Sequence, residues 1–234
     1  MKRIYELDAL RGLGILLVVF FHTAWDICSE YNLEIINAPL ITALVYLFAG
    51  MLIFISGVSS YLGKNTLKRS IIVLLCALGV TAVTYVLFPK NYIGFGILHL
   101  LGVSMLVSWV VKKFHIPNWA VLVFAAAVFI TGLFAGKIHV ETKWLFWLGF
   151  TTKNYAALDF YPLMPWLGVF LSGYLFSSKF YKEHKSPFTK GWYRNDILSF
   201  SGRHSLVIYV VHQPIAFLLV YYTPIKTLLD AIFK

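Results

Sequence analysis

The chain has 234 residues, of which 59% are hydrophobic and only 13% are charged. Because a soluble domain averages about 45–50% apolar and about 25% charged residues, this composition, with a mean hydropathy of +0.76, excludes an ordinary soluble domain. It predicts an integral membrane protein in contact with a lipid bilayer. The formal net charge of +10 comes without a basic arm or a nucleic-acid-binding motif, so we expect no nucleic acid partner.

A membrane-spanning helix needs about 20 mainly apolar residues. Seven segments approach this length: 9–28, 41–62, 70–88, 93–111, 119–136, 161–178 and 200–222. We therefore predict an all-α, polytopic transmembrane helix bundle of about seven spans, forming a single domain over residues 1–234. The first apolar run contains Arg11 and lacks a small-residue cleavage site, so we interpret it as a retained span rather than a signal peptide.

The distribution of lysine and arginine predicts the orientation of the bundle. With a cytoplasmic N-terminus, 14 of these residues fall on the cytoplasmic side and 6 on the outer side, which is the bias that cytoplasmic loops carry. Lys143–Phe150, with the sequence KWLFWLGF, is too short to span. We interpret it as interfacial or re-entrant, since tryptophans such as Trp144 and Trp147 favour the headgroup level.

The first span, Leu7–Asp26, carries four ionisable residues: Asp8, Arg11, His22 and Asp26. Since each residue of an α-helix advances about 100°, all four fall in one stripe roughly 60° wide. Ionisable residues within a membrane are costly and usually face the interior of a bundle or a wet cavity, so the stripe predicts a polar seam that faces other helices. Asp8 and Arg11 have an alternative interpretation as an interfacial ion pair.

Three histidines fall at a similar predicted depth in their spans, at about 1.5 Å of rise per residue: His22, His99 and His212. Asp159 begins the sixth span from the outer side. Three imidazoles at one level predict a proton-transfer site, a metal site with three histidine ligands, or three separate hydrogen-bonded histidines. Cys28 and Cys76 indicate neither a disulfide framework nor a metal-ligand spacing.

Other motifs have a structural and a functional interpretation. Asp159–Gly173 has two prolines three residues apart, typical of the start and kink of a helix. Gly50–Gly63 is rich in glycine and serine, which favours close helix packing in a membrane. The basic cluster at Lys64, Lys68 and Arg69 either anchors the topology or binds phosphates.

Four segments, in order, resemble the bacterial relatives of heparan-α-glucosaminide N-acetyltransferase: LDALRGLGILLVVFFH, GFGILHLLG, DFYPLMPWLGVFLSGYL and SGRHSLVIYVVHQP. The resemblance runs from about Arg3 to Pro214. In addition, Arg11 and His22 have the spacing seen in the first span of the broader membrane acyltransferases that O-acylate sugars. The resemblance implies a transmembrane acyltransferase that moves an acetyl group from cytoplasmic acetyl-CoA to an amino or hydroxyl group of a sugar-like acceptor.

We assign roles to residues on this hypothesis. His22 is the predicted catalytic base. Asp26 is predicted to orient it, and Arg11 is predicted to lie on its cytoplasmic side in the same stripe. Acetyl-CoA is the expected donor substrate, with its phosphates at Lys64, Lys68, Arg69 and Arg203. The acceptor is predicted to contact His99, Asp159, Tyr209 and His212, and no metal is expected. The site lies in a bacterial inner membrane on this interpretation, and the protein is a possible homodimer.

Two other classes of function remain open from the sequence. A small proton-coupled transporter would also need a seam of histidine and aspartate with broken helices, although paired repeats of the transporter kind are not visible. A purely structural membrane partner would leave the polar stripe unexplained. Release of CoA favours the enzyme, and substrate flux without CoA turnover favours the carrier.

Overall fold

The computed structural model of the chain describes residues 4–34, 38–181, 196–222 and 226. Its described residues form an all-α fold, as predicted, with the following helices in order: α1 (Tyr5–Glu30), α2 (Pro39–Leu62), α3 (Thr66–Leu87), α4 (Ile97–Lys113), α5 (Asn118–Ala135), α6 (Leu163–Phe180), α7 (Asp196–Arg203) and α8 (Ser205–Tyr222). A 3-10 helix, Lys143–Leu148, lies between α5 and α6. Some of the lysines and arginines used to predict the orientation, such as Lys182 and Arg194, lie outside the described residues.

The seven predicted spans all coincide with helices. Among the described residues, α1, α2, α3, α5 and α8 are long and apolar enough to cross a membrane. The helix α4 has 17 residues, and α6 contains one residue, Met164, with extended backbone angles between Pro162 and Pro165, where the sequence predicted a kink. The last predicted span is divided at His204 into α7 and α8.

The chain divides into two compact units, and the boundary falls within α2. One comprises α1, α7, α8 and the first part of α2, within Arg3–Leu52 and Phe188–Lys234; we call it the α1/α7/α8 unit. The other lies within Ile53–Pro187 and contains the end of α2 with α3, α4, α5, the 3-10 helix and α6; we call it the α3–α6 unit.

Glycines allow close helix contact in the α1/α7/α8 unit. A Cβ at Gly12 would overlap the carbonyl oxygen of Leu198, and a Cβ at Gly202 would overlap that of Asp8. Only a residue without a side chain fits this contact, which brings the backbones of α1 and α7 together as small residues do in membrane helix pairs. This contact fixes the register of α7 along the first half of α1.

Glycines also allow close helix contact in the α3–α6 unit. A Cβ at Gly57 would overlap the carbonyl oxygen of Phe170, and one at Gly173 would overlap that of Phe54. The predicted packing role of the Gly50–Gly63 segment therefore agrees with the contact between the end of α2 and α6. Buried serines line the same interior, where Ser60 hydrogen bonds to Ser108 and Ser70 donates to the carbonyl of Gly102 at 2.8 Å.

The segment predicted to be interfacial is the short 3-10 helix. It has six residues, far fewer than the about 20 that a helical span needs. The side chain of Trp144 is 83% exposed, and Gly149 ends the helix with a φ of 119°, which a glycine adopts without strain.

Candidate functional site

The polar stripe of α1 lies on its packed side. Asp8 and Ile15 are buried, whereas Leu13, Phe20 and Trp25, which point in other directions around the helix, are exposed. A helix with a packed polar seam and an exposed apolar face is the arrangement that the cost of ionisable groups in a membrane predicts. The helix therefore presents its ionisable residues to protein.

Asp8 and Arg11 form an ion pair one turn apart. Arg11 Nη2 lies 3.2 Å from Asp8 Oδ1, and the two side chains are 28% and 13% exposed. The two residues therefore form an ion pair, and its placement at the membrane interface stays a prediction. An additional catalytic contribution of Arg11 remains a prediction.

His22 contacts His212 within the α1/α7/α8 unit. His22 Nδ1 lies 2.7 Å from His212 Nε2, and the two ring planes are inclined by only 16° with their centroids 5.0 Å apart. The sequence placed both histidines at a similar depth, and the structure joins them directly. One of these two nitrogens therefore carries a proton and donates it to the other in a hydrogen bond.

The second nitrogen of His212 also has a partner. His212 Nδ1 lies 2.6 Å from the backbone carbonyl oxygen of Tyr209, and the ring of His212 is buried. The sequence predicted that Tyr209 and His212 share a face, and their rings are 5.3 Å apart. The carbonyl of Tyr209 is therefore a structural partner of His212, and binding of an acceptor by Tyr209 stays a prediction.

Asp26, one turn above His22, contacts Gln213. The side-chain amide of Gln213 donates to Asp26 Oδ1 at 3.2 Å and to Oδ2 at 3.0 Å. In the described residues the hydrogen-bond partner of His22 is His212, and the predicted orientation of His22 by Asp26 stays a prediction. Sequence reasoning missed Gln213, although its position next to His212 was a usable signal.

These contacts show that α1 and α8 run in the same direction. The pairs follow one another along both chains: His22 with His212, Asp26 with Gln213, and Glu30 with Lys226 at 2.6 Å. Two parallel spans start at the same face of a membrane, so the chain must cross an odd number of times between them. Six α-helices of the described part of the chain lie between them, and the condition is met if α2–α6 each cross once and the eight-residue α7 does not cross.

His99 and Asp159 meet at the beginning of α4 in the α3–α6 unit. Asp159 Oδ2 accepts from the backbone N–H of Ile97 at 2.9 Å, where a carboxylate favours the positive end of a helix dipole. His99 Nδ1 accepts from the backbone N–H of Gly96 at 3.2 Å, and His99 Nε2 lies 3.2 Å from Thr81 Oγ1. Both residues therefore cap α4, and their predicted contact with an acceptor would be an additional role.

The predicted phosphate ligands occupy two places. Lys64, Lys68 and Arg69 are exposed at the turn between α2 and α3, within the α3–α6 unit. Arg203 is exposed at the end of α7, in the α1/α7/α8 unit. Lys112 also reaches this turn, but its ammonium donates to the carbonyl oxygens of Ser60 and Gly63 at 2.7 and 3.0 Å and so caps the end of α2.

A cluster of aromatic rings surrounds Tyr155 in the loop before α6. Its ring lies 5.8 Å from that of Phe146 and 4.9 Å from that of Phe160. Burial, reinforced by Tyr92 and Asp159, raises the pKa of Tyr155 to about 12. The phenol therefore stays protonated at neutral pH and acts there as a neutral donor or acceptor.

Comparison with known proteins decides the family. The model of the family described as "Heparan-alpha-glucosaminide N-acetyltransferase, catalytic" matches residues 3–214, which include every residue of the candidate site. The chain belongs to this family. The membership supports acetyltransferase activity in a membrane protein, and the match extends through both compact units. No curated protein and no solved structure gives a significant match.

Proposed function

We propose that the protein transfers an acetyl group from cytoplasmic acetyl-CoA, across the membrane, to an amino or hydroxyl group of a sugar-like acceptor at the outer face. The observation that carries the proposal is the contact of His22 with His212 on two parallel apolar helices. An imidazole within hydrogen-bond reach of an acceptor N–H or O–H can act as a general base, which contributes about 10²–10⁴ in rate. A bacterial inner membrane is the proposed location, and a homodimer stays a prediction.

The proposed reaction needs one base. His22 removes the proton of the acceptor nitrogen or oxygen as that atom attacks the thioester carbonyl of acetyl-CoA. The carbon–sulfur bond then breaks, and the CoA thiolate takes a proton. A relay in which the acetyl group is first carried on His22 uses the same residue as nucleophile.

The phosphates of the donor are proposed to bind cations that the sequence predicts on the cytoplasmic side. Lys64, Lys68 and Arg69 are exposed cations, and Arg203 is a fourth at the end of α7. Charge-assisted bonds from lysine and arginine suit phosphate oxygens. Acetyl-CoA carries its phosphates on the nucleotide, so we propose that these cations bind the nucleotide and that the thioester reaches His22.

The acceptor is proposed to approach from the predicted outer side. Asp26 lies one turn from His22 in that direction, held by Gln213. Its carboxylate is an acceptor for N–H or O–H groups of a sugar. Asp159 and His99 at the start of α4 are further proposed contacts, together with Tyr209.

The test uses purified protein in proteoliposomes. Radiolabelled acetyl-CoA is supplied on one side and glucosamine on the other, and both acetylglucosamine and free CoA are measured. We expect His22→Ala to reduce transfer by at least about 10²-fold, whereas His139→Ala, at an exposed loop histidine, retains it. Near-normal transfer by His22→Ala would remove His22 from the mechanism, and glucosamine flux without CoA release would support a carrier instead.

A further inference from the structure

We propose that His212 is a positioning residue that holds His22 in a single tautomer, with the proton on Nδ1 and the lone pair on Nε2. The inference rests on the proposed function, because it identifies Nε2 of His22 as the atom that removes the proton of the acceptor. It also replaces the predicted role of His212 as an acceptor ligand.

The first step concerns His212 Nδ1. This nitrogen lies 2.6 Å from the carbonyl oxygen of Tyr209. A backbone carbonyl accepts hydrogen bonds and has no proton to donate. The contact is therefore a hydrogen bond only if His212 Nδ1 carries the proton and donates it.

The second step passes along the ring. A neutral imidazole has one N–H and one lone pair, so a proton on Nδ1 leaves the lone pair of His212 on Nε2. That nitrogen lies 2.7 Å from His22 Nδ1. His22 Nδ1 must then be the donor, and the lone pair of His22 is left on Nε2.

The ring geometry supports this hydrogen bond. The ring planes differ by 16° and the centroids are 5.0 Å apart, although the nearest nitrogens are only 2.7 Å apart. Such a difference between the two distances arises when rings meet edge to edge, not face to face. The N–H and the lone pair of an imidazole lie in the ring plane, so an edge-to-edge contact aligns them.

Nε2 of His22 makes no hydrogen bond within the part of the chain that the structure describes. In the proposed reaction the acceptor proton moves to this nitrogen while the bond from the acceptor atom to the acetyl carbon forms. His22 is then an imidazolium whose Nδ1–H still donates to His212. The proton on Nε2 subsequently moves to the CoA thiolate, which restores the starting tautomer.

The opposite tautomer of His22 could not remove the acceptor proton. A proton on Nε2 of His22 would occupy the site where the acceptor proton must arrive. Free histidine has both tautomers available, so a partner that only accepts at Nδ1 selects the productive one. His212 meets this requirement because the carbonyl of Tyr209 keeps the proton of His212 on Nδ1. His212 Nε2 can then only accept.

The test reads the tautomer directly, without substrates. The full-length protein is labelled with ¹⁵N-histidine in nanodiscs, and the resonances of His22 are assigned by their loss in His22→Ala. We expect His22 to be protonated at Nδ1 only. A proton on His22 Nε2, or a doubly protonated His212, would overturn the proposal.

Two variants link the tautomer to turnover. His212→Phe removes the acceptor, so we expect a mixture of His22 tautomers and a kcat about 10²-fold lower, with the KM for acetyl-CoA unchanged. His212→Gln retains an acceptor oxygen, so we expect it to recover part of the kcat and most of the Nδ1–H signal. Equal kcat in the wild type and His212→Phe would contradict the positioning role.

The nitrogen spectrum and the transfer assay test this proposal and the proposed function separately. The nitrogen spectrum tests the tautomer whether or not the protein transfers acetyl groups. If the wild type shows Nδ1-protonated His22 while His22→Ala still transfers acetyl, the assignment of the tautomer holds and the base is another residue. If transfer depends on His22 but its proton lies on Nε2, the proposed function holds and this inference fails.

Discussion

Gln213 donates its side-chain amide to both carboxylate oxygens of Asp26, at 3.2 and 3.0 Å. The amide faces the carboxylate with its NH₂ group, so its oxygen points elsewhere. That oxygen is buried and has no hydrogen-bond partner among the described residues. Leaving a buried amide oxygen without a hydrogen bond costs about 1–3 kcal/mol, and a bound group with N–H or O–H donors would remove this cost. The amide oxygen of Gln213 and the carboxylate of Asp26 therefore offer hydrogen-bond acceptors to such a group next to His22.

We expect Gln213→Met, which keeps the length of the side chain and removes the amide, to weaken acceptor use. A hydrogen bond to a charged group is worth about 1.5–3 kcal/mol, so kcat/KM for glucosamine should fall by about 10-fold or more. The KM for acetyl-CoA should not change. Steady-state kinetics in proteoliposomes measure both constants, and an unchanged kcat/KM for glucosamine would show that Gln213 is not part of the acceptor site.

Arg69 and Lys68 test the donor site. We expect Lys68→Gln and Arg69→Gln to raise the KM for acetyl-CoA by roughly 10-fold each, because each removes a charged bond to phosphate worth about 1.5–3 kcal/mol, while kcat stays unchanged. The matched control is Lys153→Gln, an exposed lysine in the loop before α6. If the variants and the control have the same KM, the nucleotide binds elsewhere.

Lys112 is expected to stabilise the end of α2. Its ammonium donates to the carbonyl of Ser60 in the last turn of that helix and to that of Gly63, the residue after it. We predict that Lys112→Met lowers the free energy of unfolding by about 1–3 kcal/mol, since it removes the charged donor of both carbonyls and leaves them only the hydroxyl of Thr66. Lys90 is exposed after α3, so the control Lys90→Met should change stability by less than about 0.5 kcal/mol. Chemical denaturation in detergent compares the two, and equal effects would refute the capping role.

Gly202 tests the contact between α1 and α7. A Cβ here would overlap the carbonyl oxygen of Asp8, so we expect Gly202→Ala to destabilise the protein by about 1–3 kcal/mol. In Gly79→Ala, where nothing lies within 4 Å of the added Cβ, the same change inside α3 should stabilise by about 0.5–1 kcal/mol. Thermal unfolding in detergent distinguishes these opposite signs. A stabilising Gly202→Ala would mean that the two backbones are further apart.

The approximate positions of the helices were predictable because each depends on local properties, whereas the break between α7 and α8 at His204 was not predicted. A run of about 20 apolar residues is sufficient to indicate a span, and prolines at positions 162 and 165 indicated the irregular start of α6. The four short segments that resemble the acetyltransferase family were sufficient for the family, which the match over residues 3–214 confirmed. The helical period was sufficient to place Asp8, Arg11, His22 and Asp26 on one packed side.

The sequence alone therefore determined the class of protein, the helices and the polar side of α1. Only the tertiary structure decided that His22 meets His212, that Asp26 meets Gln213, and that His99 caps α4. Such contacts depend on how far one helix is shifted and rotated against another. That register is fixed by close backbone contacts between distant residues, such as Gly12 with Leu198, and helical periodicity carries no information about it.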